Sequence, residues 1–399
     1  MGVELINYGR AAIAEFLGDR IVYRGLEPYD KSLPPLEALR RAAGLAPEVL
    51  PRKNEADYAR VVMHLLQACQ EQDQPGGRIE RLVFVGDTRL LDGTAYENLC
   101  RVSGWSGRAF ICAEDGDPPA TCWAAAEQNQ PIMLANRWAA LAQFDRECAQ
   151  LGHPIGAGTA VVFDMDKTLV GARGRNARVI DQSRMQAVEQ TVGDLLGKDF
   201  DPVVFRRIYD PLNQPEFHPF TTDNQDYLAY ICLVLGNGLI DFADLTRRIR
   251  SDELASFEAF LDEVEARKGA LPERLAALHE EIRQRVQAGD PTPFKAFRRN
   301  EYLLTRQRFG CLSAAAAMVE MLAEEILITQ EARCMAHKWR REGALLFGLS
   351  DKPDEASIPD EEHRAQGWTP LHQAETHAVG EAGFEIEQVD RSILVMPQP

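Results

Sequence analysis

Two carboxylates one residue apart, Asp164 and Asp166, end the apolar run Val161-Val162-Phe163, and Lys167 and Thr168 follow closely. Acids so placed can divide the work of phosphoryl transfer. One attacks phosphorus, the other moves a proton, and both can help to hold a hard cation such as Mg2+. A β-branched apolar run that breaks into polar residues reads as a buried parallel strand reaching its carboxyl end, where open α/β sheets bind ligands. A strand running into an acidic turn has the same composition without chemistry, so the pair needs partners elsewhere in the chain.

The 399 residues suffice for two or three domains, with 45% apolar residues to fill their cores and 26% charged residues to solvate them. A net charge of −17 argues against nucleic acid as the main partner, since phosphate backbones need a basic face. No stretch approaches the roughly 18 unbroken apolar residues of a membrane span. The first residues lack the basic and then apolar build of a signal peptide. The eight cysteines include no C-x-x-C pair. That points to reduced thiols and a cytoplasmic protein rather than a zinc site or a disulfide framework. Self-association as a homo-oligomer stays open.

Residues 1–78 read as mainly helical, with helical spacing of apolar residues around 10–17 and 56–69. Residues 79–155 alternate short apolar runs at 82–85, 109–112 and 131–134 with helices expected at 94–103, 119–128 and 137–151, a parallel α/β pattern. The first of these runs ends in Gly86-Asp87 and reaches Asp92, again placing acids at a strand end. After Thr168 a basic loop carries Arg173 and Arg175, either a solvated turn or a planar fork for a substrate anion. From about 179 to 309 the spacing is helical throughout, and 293–302 mixes Lys295 and Arg298 with aromatics. That patch reads either as a surface helix with snorkelling side chains or as a substrate-facing surface. A helix is expected at 313–323. Further apolar runs end in Thr329 and, after 343–349, in Asp351, Lys352 and Asp354; two more strands are expected at 376–380 and 392–396.

In this order, the strand ends resemble the motif series of the haloacid dehalogenase (HAD) superfamily. That series is D-x-D-x-T, an apolar strand ending in Ser or Thr, a Lys, and an acidic pair after a strand. The resemblance covers 156–172 and 310–399 and implies an α/β fold with a Rossmann-like parallel-sheet core in those residues. An all-helical cap would be inserted at 173–309, closing over the cleft and selecting small substrates. Residues 1–155 would form an N-terminal accessory region, helical over 1–78 and α/β over 79–155.

The resemblance also implies the roles. Asp164 is the nucleophile, Asp166 the acid and base, Thr329 a phosphate contact, and Lys338 or Lys352 the motif lysine. Mg2+ would be held around Asp164, Asp166, Asp351 and Asp354. Thr168, Arg173, Arg175, Lys295 and Arg298 are the candidates for substrate contact. A carboxylate at the Asp166 position separates phosphate chemistry from dehalogenation. The expected activity is Mg2+-dependent hydrolysis of a small organic phosphomonoester through an aspartyl phosphate. The alternatives are a phosphotransferase or mutase built on the same residues, and a phosphate-ligand binding or regulatory module with little catalysis. Asp87 and Asp92 resemble the acidic motif but precede the first one. They read as a strand-end turn in the accessory region, or as acids facing the same site.

Overall fold

Two apolar runs assigned from the sequence to different domains form adjacent parallel strands, Arg81–Gly86 and Thr159–Asp164, with Val83 level with Val161 and Val85 with Phe163. In the computed structural model, residues 4–47, 50–115, 118–125 and 130–384 are described. Numbered in chain order, the strands are β1 (Leu5–Ala11), β2 (Ile21–Val22), β3 (Arg81–Gly86), β4 (Ser106–Cys112), β5 (Thr121–Ala124), β6 (Ile132–Ala135), β7 (Thr159–Asp164), β8 (Ile328–Thr329), β9 (Leu345–Leu349) and β10 (Thr376–Glu381). Seven of them make one sheet in the order β2-β9-β7-β3-β4-β6-β5, and only the β5–β6 edge pair is antiparallel. β1, β10 and β8 form a second, three-stranded sheet in which β1 and β10 run antiparallel.

β7 and β9 are buried along their whole length, which is why their sequences are continuously apolar rather than alternating. One face of the large sheet, with Leu82, Phe84, Val162 and Phe347, packs against Val62, Leu65 and Leu66 of the helix Ala56–Asp73. On the other face Phe163 meets Trp339, and Phe110 meets Trp138 and Phe144.

The chain divides into two compact units, one of Met1–Asp181, Thr305–Ile358 and Gln366–Pro399, the other of Gln182–Leu304 and Pro359–Ala365. The first contains both sheets. Among the described residues the second is helical, with Phe220, Tyr230, Phe257 and Phe260 in its core. Its main segment, Gln182–Leu304, falls inside the 173–309 insertion read from the sequence, and Pro359–Ala365 joins it from beyond that insertion.

Several expectations change. Residues 79–155 are not an accessory region: with β2, they supply five of the seven strands in the large sheet. The segment 1–78, read as mainly helical, holds β1 and β2 as well as the helices Leu36–Ala43 and Ala56–Asp73. The helix expected at 119–128 is in its first part the edge strand β5. The expected helix at 313–323 is Met318–Glu324. The strand expected at 392–396 lies outside the described residues.

Candidate active site

Register brings the carboxyl ends of β3, β7 and β9 to one edge, with Val85 level with Phe163 and Asp164 level with Leu349. Beyond Asp164 the chain turns sharply. The Met165 carbonyl accepts from the amides of Leu169 at 2.9 Å and Val170 at 3.1 Å, and Lys167 takes a φ of 65°. A non-glycine residue held in the left-handed region stores strain that its surroundings must support. Here the Lys167 amide donates to the Val170 carbonyl at 2.7 Å, and its ammonium pairs with Asp181 at 2.8 Å. Asp166 sits within this closed turn, half-buried, and the Thr168 hydroxyl is buried with no partner among the described residues.

The end of β3 is shaped by a carboxylate folding back on it. Asp92 starts the helix Asp92–Ser103, and its Oδ2 accepts from the amides of Asp87 and Thr88, both at 2.9 Å, and from the Thr88 hydroxyl at 3.1 Å. A Cβ on Gly86 would come within 2.6 Å of the Asp92 side chain, so this approach requires glycine.

Lys53, in the turn before Ala56–Asp73, places Nζ 2.6 Å from Asp92 Oδ1 and 2.5 Å from Asp164 Oδ1, and 5.7 Å over the Phe84 ring. Its turn is tied to Asp92–Ser103 by Asn98 Nδ2 donating to the Asn54 carbonyl at 2.9 Å. Arg173 Nε pairs with Asp87. Oxygens of Asp87, Asp92 and Asp164 lie within 4.8 Å of one another, all three residues buried.

The electrostatics follow from crowding three acids in a dry place. Burial raises the Asp164 carboxyl well above the usual range; Lys53 opposes this, and Asp92 and Asp87 push it higher. Burial and then Asp92 bring Asp87 up to about 6, against Arg173. Burial works against the charges of Asp92 and Lys53 too, but their mutual attraction wins. Asp92 is held below the carboxylate range, while Asp164 and Asp92 hold Lys53 well above its ordinary value.

The residues singled out from the sequence are dispersed. Asp164, Asp166 and Thr168 share the turn after β7. Thr329 ends β8 in the other sheet, its hydroxyl donating to the Thr168 carbonyl at 2.5 Å. Lys338 is committed to Asp145 at 3.0 Å and Glu342 at 2.8 Å. Lys352 is buried with Nζ 3.5 Å from the Thr305 hydroxyl. Asp351 is half exposed, 3.9 Å from Arg24, and Asp354 accepts from the Gly25 amide at 2.7 Å; neither joins the acid cluster. Arg175 is spent on Glu114 at 2.6 Å and Glu331 at 2.9 Å. In the helical unit Lys295 pairs with Asp290 at 3.0 Å, and Arg298 is buried against Asp226 at 2.5 Å and Glu301 at 2.6 Å.

The residues that meet Asp164 at this edge are Lys53, Asp87 and Asp92, and Ser350 follows β9. Ser350 is 1% exposed and its hydroxyl accepts from the Lys352 amide at 3.1 Å. Asp87 and Asp92 carried a signal, acids after an apolar strand, which left open either a turn in the accessory region or acids facing the same site. Lys53, a lone lysine in a Pro-rich connection, carried none. Comparison with models of protein families, with curated proteins and with solved structures gave no match.

Proposed function

We propose that the chain is a divalent-metal-dependent phosphohydrolase of HAD type whose motifs occur in cyclically rotated order. The family series runs acid pair with threonine, hydroxyl-ended strand, lysine, acidic strand end. Along this chain the matching pieces at one sheet edge are Lys53, then β3 with Asp87 and Asp92, then β7 with Asp164, Asp166 and Thr168, then β9 with Ser350. This is the same cycle entered at the lysine. A rotated order needs the old chain ends joined and new ends close together. Consistent with this, β1 and β10, the first and last described strands, pair with each other.

The observation that carries the reading is the Lys53 ammonium shared by Asp92 and Asp164, with Asp87 alongside. A strong counter-ion beside a strand-end carboxylate is what an in-line attack on a phosphate dianion needs. The donor set fits a hard cation: three buried carboxylates joined by no soft ligand among the described residues, with the Thr168 hydroxyl, which has no partner among those residues, close in sequence. Asp87, Asp92 and Asp164 would hold the metal, and bound there it would offset charge on the phosphoryl oxygens.

Asp164, steadied by Lys53, attacks phosphorus as the bond to the leaving oxygen breaks, and Asp166 gives that oxygen its proton. Water then attacks the aspartyl phosphate, Asp166 takes the water's proton, and phosphate leaves with Asp164 restored. The substrate class is a small organic phosphomonoester.

The test is Mg2+-dependent hydrolysis of an aryl phosphate and of a panel of metabolite phosphates. Asp164→Asn should abolish turnover while keeping the wild-type circular dichroism spectrum. Undiminished activity in that variant, or in excess chelator, would refute the reading.

A further inference from the structure

Arg173 presents a charge that the proposed chemistry does not use as it stands. Its backbone is fixed: its amide donates to the Lys167 carbonyl at 2.7 Å, and its own carbonyl accepts from the Glu114 amide at 3.0 Å and Trp138 Nε1 at 3.4 Å. The next residue, Gly174, has a φ of +83°, and a Cβ there would overlap the Glu114 carbonyl, so the loop admits little displacement. The side chain, by contrast, is 37% exposed, and its guanidinium ends on Asp87, whose side chain is 7% exposed. Asp87 is also one of the three acids fit to hold a cation.

With no divalent ion present, Lys53 alone leaves those acids undercompensated, and Arg173 supplies the second positive charge. A divalent cation together with Lys53 balances three carboxylates, and the guanidinium then becomes surplus. A planar fork on a fixed backbone beside Asp87 suits a phosphoryl oxygen.

We propose that Arg173 is an exchangeable counter-ion: it holds Asp87 while the acids carry no metal, yields that carboxylate to the metal, and turns to the substrate's phosphate. This rests on the metal reading given above, and the experiment separates the two. Mn2+ binding by electron paramagnetic resonance and inorganic phosphate binding to the Mg2+-loaded protein are measured for wild type, Arg173→Met, Arg173→Lys and Asp87→Asn.

Arg173→Met should bind Mn2+ about tenfold tighter, the worth of one charge-assisted hydrogen bond no longer competing, and phosphate about tenfold more weakly. Arg173→Lys should fall between. In an Asp87→Asn background, Arg173→Met should no longer tighten Mn2+ binding. Unchanged or weaker Mn2+ binding by folded Arg173→Met overturns the exchange, while the proposed function stands provided wild type binds Mn2+. A wild type that binds no Mn2+ overturns both.

Discussion

Lys53 Nζ stands 2.5 Å from Asp164 Oδ1 across 111 positions of sequence, with both side chains nearly inaccessible. Its removal leaves two buried carboxylates, Asp164 and Asp92, without their counter-ion. Lys53→Met should lower unfolding free energy by about 3–5 kcal/mol in urea titrations, the cost of breaking a buried pair from one side. Adding Asp92→Asn should restore part of it. On the proposed mechanism activity should fall at least about 100-fold in both variants, because the charge beside Asp164 is gone. A Lys53→Met protein of wild-type stability would mean that the ammonium is not holding these acids.

Two acids compete for the role of metal ligand, Asp87 in the buried cluster and Asp351 half exposed beyond β9. Asp87→Asn should weaken Mn2+ binding more than about tenfold in calorimetry, as loss of one ligand does. Asp351→Asn should change it less than about twofold, the expectation for an exposed charge. The reverse ranking would restore the ligand set read from the sequence.

Ser350 and Thr329 compete in the same way for the hydroxyl contact. Thr329→Val removes a hydrogen bond to the Thr168 carbonyl and should cost about 1 kcal/mol in stability with kcat and KM within about twofold. Ser350→Ala should instead raise KM for the phosphomonoester about tenfold with little change in melting temperature. Equal kinetic effects of the two changes would contradict the placement of the site at β9.

His153 links stability to pH away from the site. Burial, then Arg108 and Arg81, bring it down to about 4 from its ordinary 6.5. Its Nδ1 lies 3.4 Å from the Ser106 hydroxyl, and Nε2 is buried with no partner among the described residues. Between those two pH values the unfolded chain binds the proton that the folded chain refuses. Stability from this group is therefore complete above pH 6.5 and is lost as pH falls toward 4, by on the order of 3 kcal/mol. Thermal melts from pH 7 to 4 should show that slope in wild type and a shallower one in His153→Gln. Parallel slopes would assign the acid sensitivity elsewhere.

What could be read in advance was local. β7 announces itself because a strand buried on both faces must be apolar without interruption, and its acids mark the carboxyl end. The helical unit is legible from its amphipathic spacing over many turns. Pairing was not legible. A parallel sheet takes its neighbours from anywhere in the chain, so nothing in Arg81–Gly86 says that its partner is Thr159–Asp164. In their usual order the motifs point forward from Asp164, to Thr329 and Asp351, whereas its neighbours in the structure include Lys53 and Asp87 behind it. The edge strand Thr121–Ala124 was lost to a helix because four residues carry too little periodicity to choose between them.

β9 lies between β2 and β7, and β2 has no other neighbour in the sheet. The chain is made from its amino end, so Ile21–Val22 must wait for Leu345–Leu349 to leave the ribosome. Lys53, Asp87, Asp92 and Asp164, by contrast, are all synthesised before the helical unit begins, and β3, β4, β6 and β7 are there to align the three acids. The half that carries the acid cluster can thus assemble on a nascent chain whose outer strand is still waiting for its partner. Protease resistance of chains arrested near residue 200, with and without Mg2+, would report it.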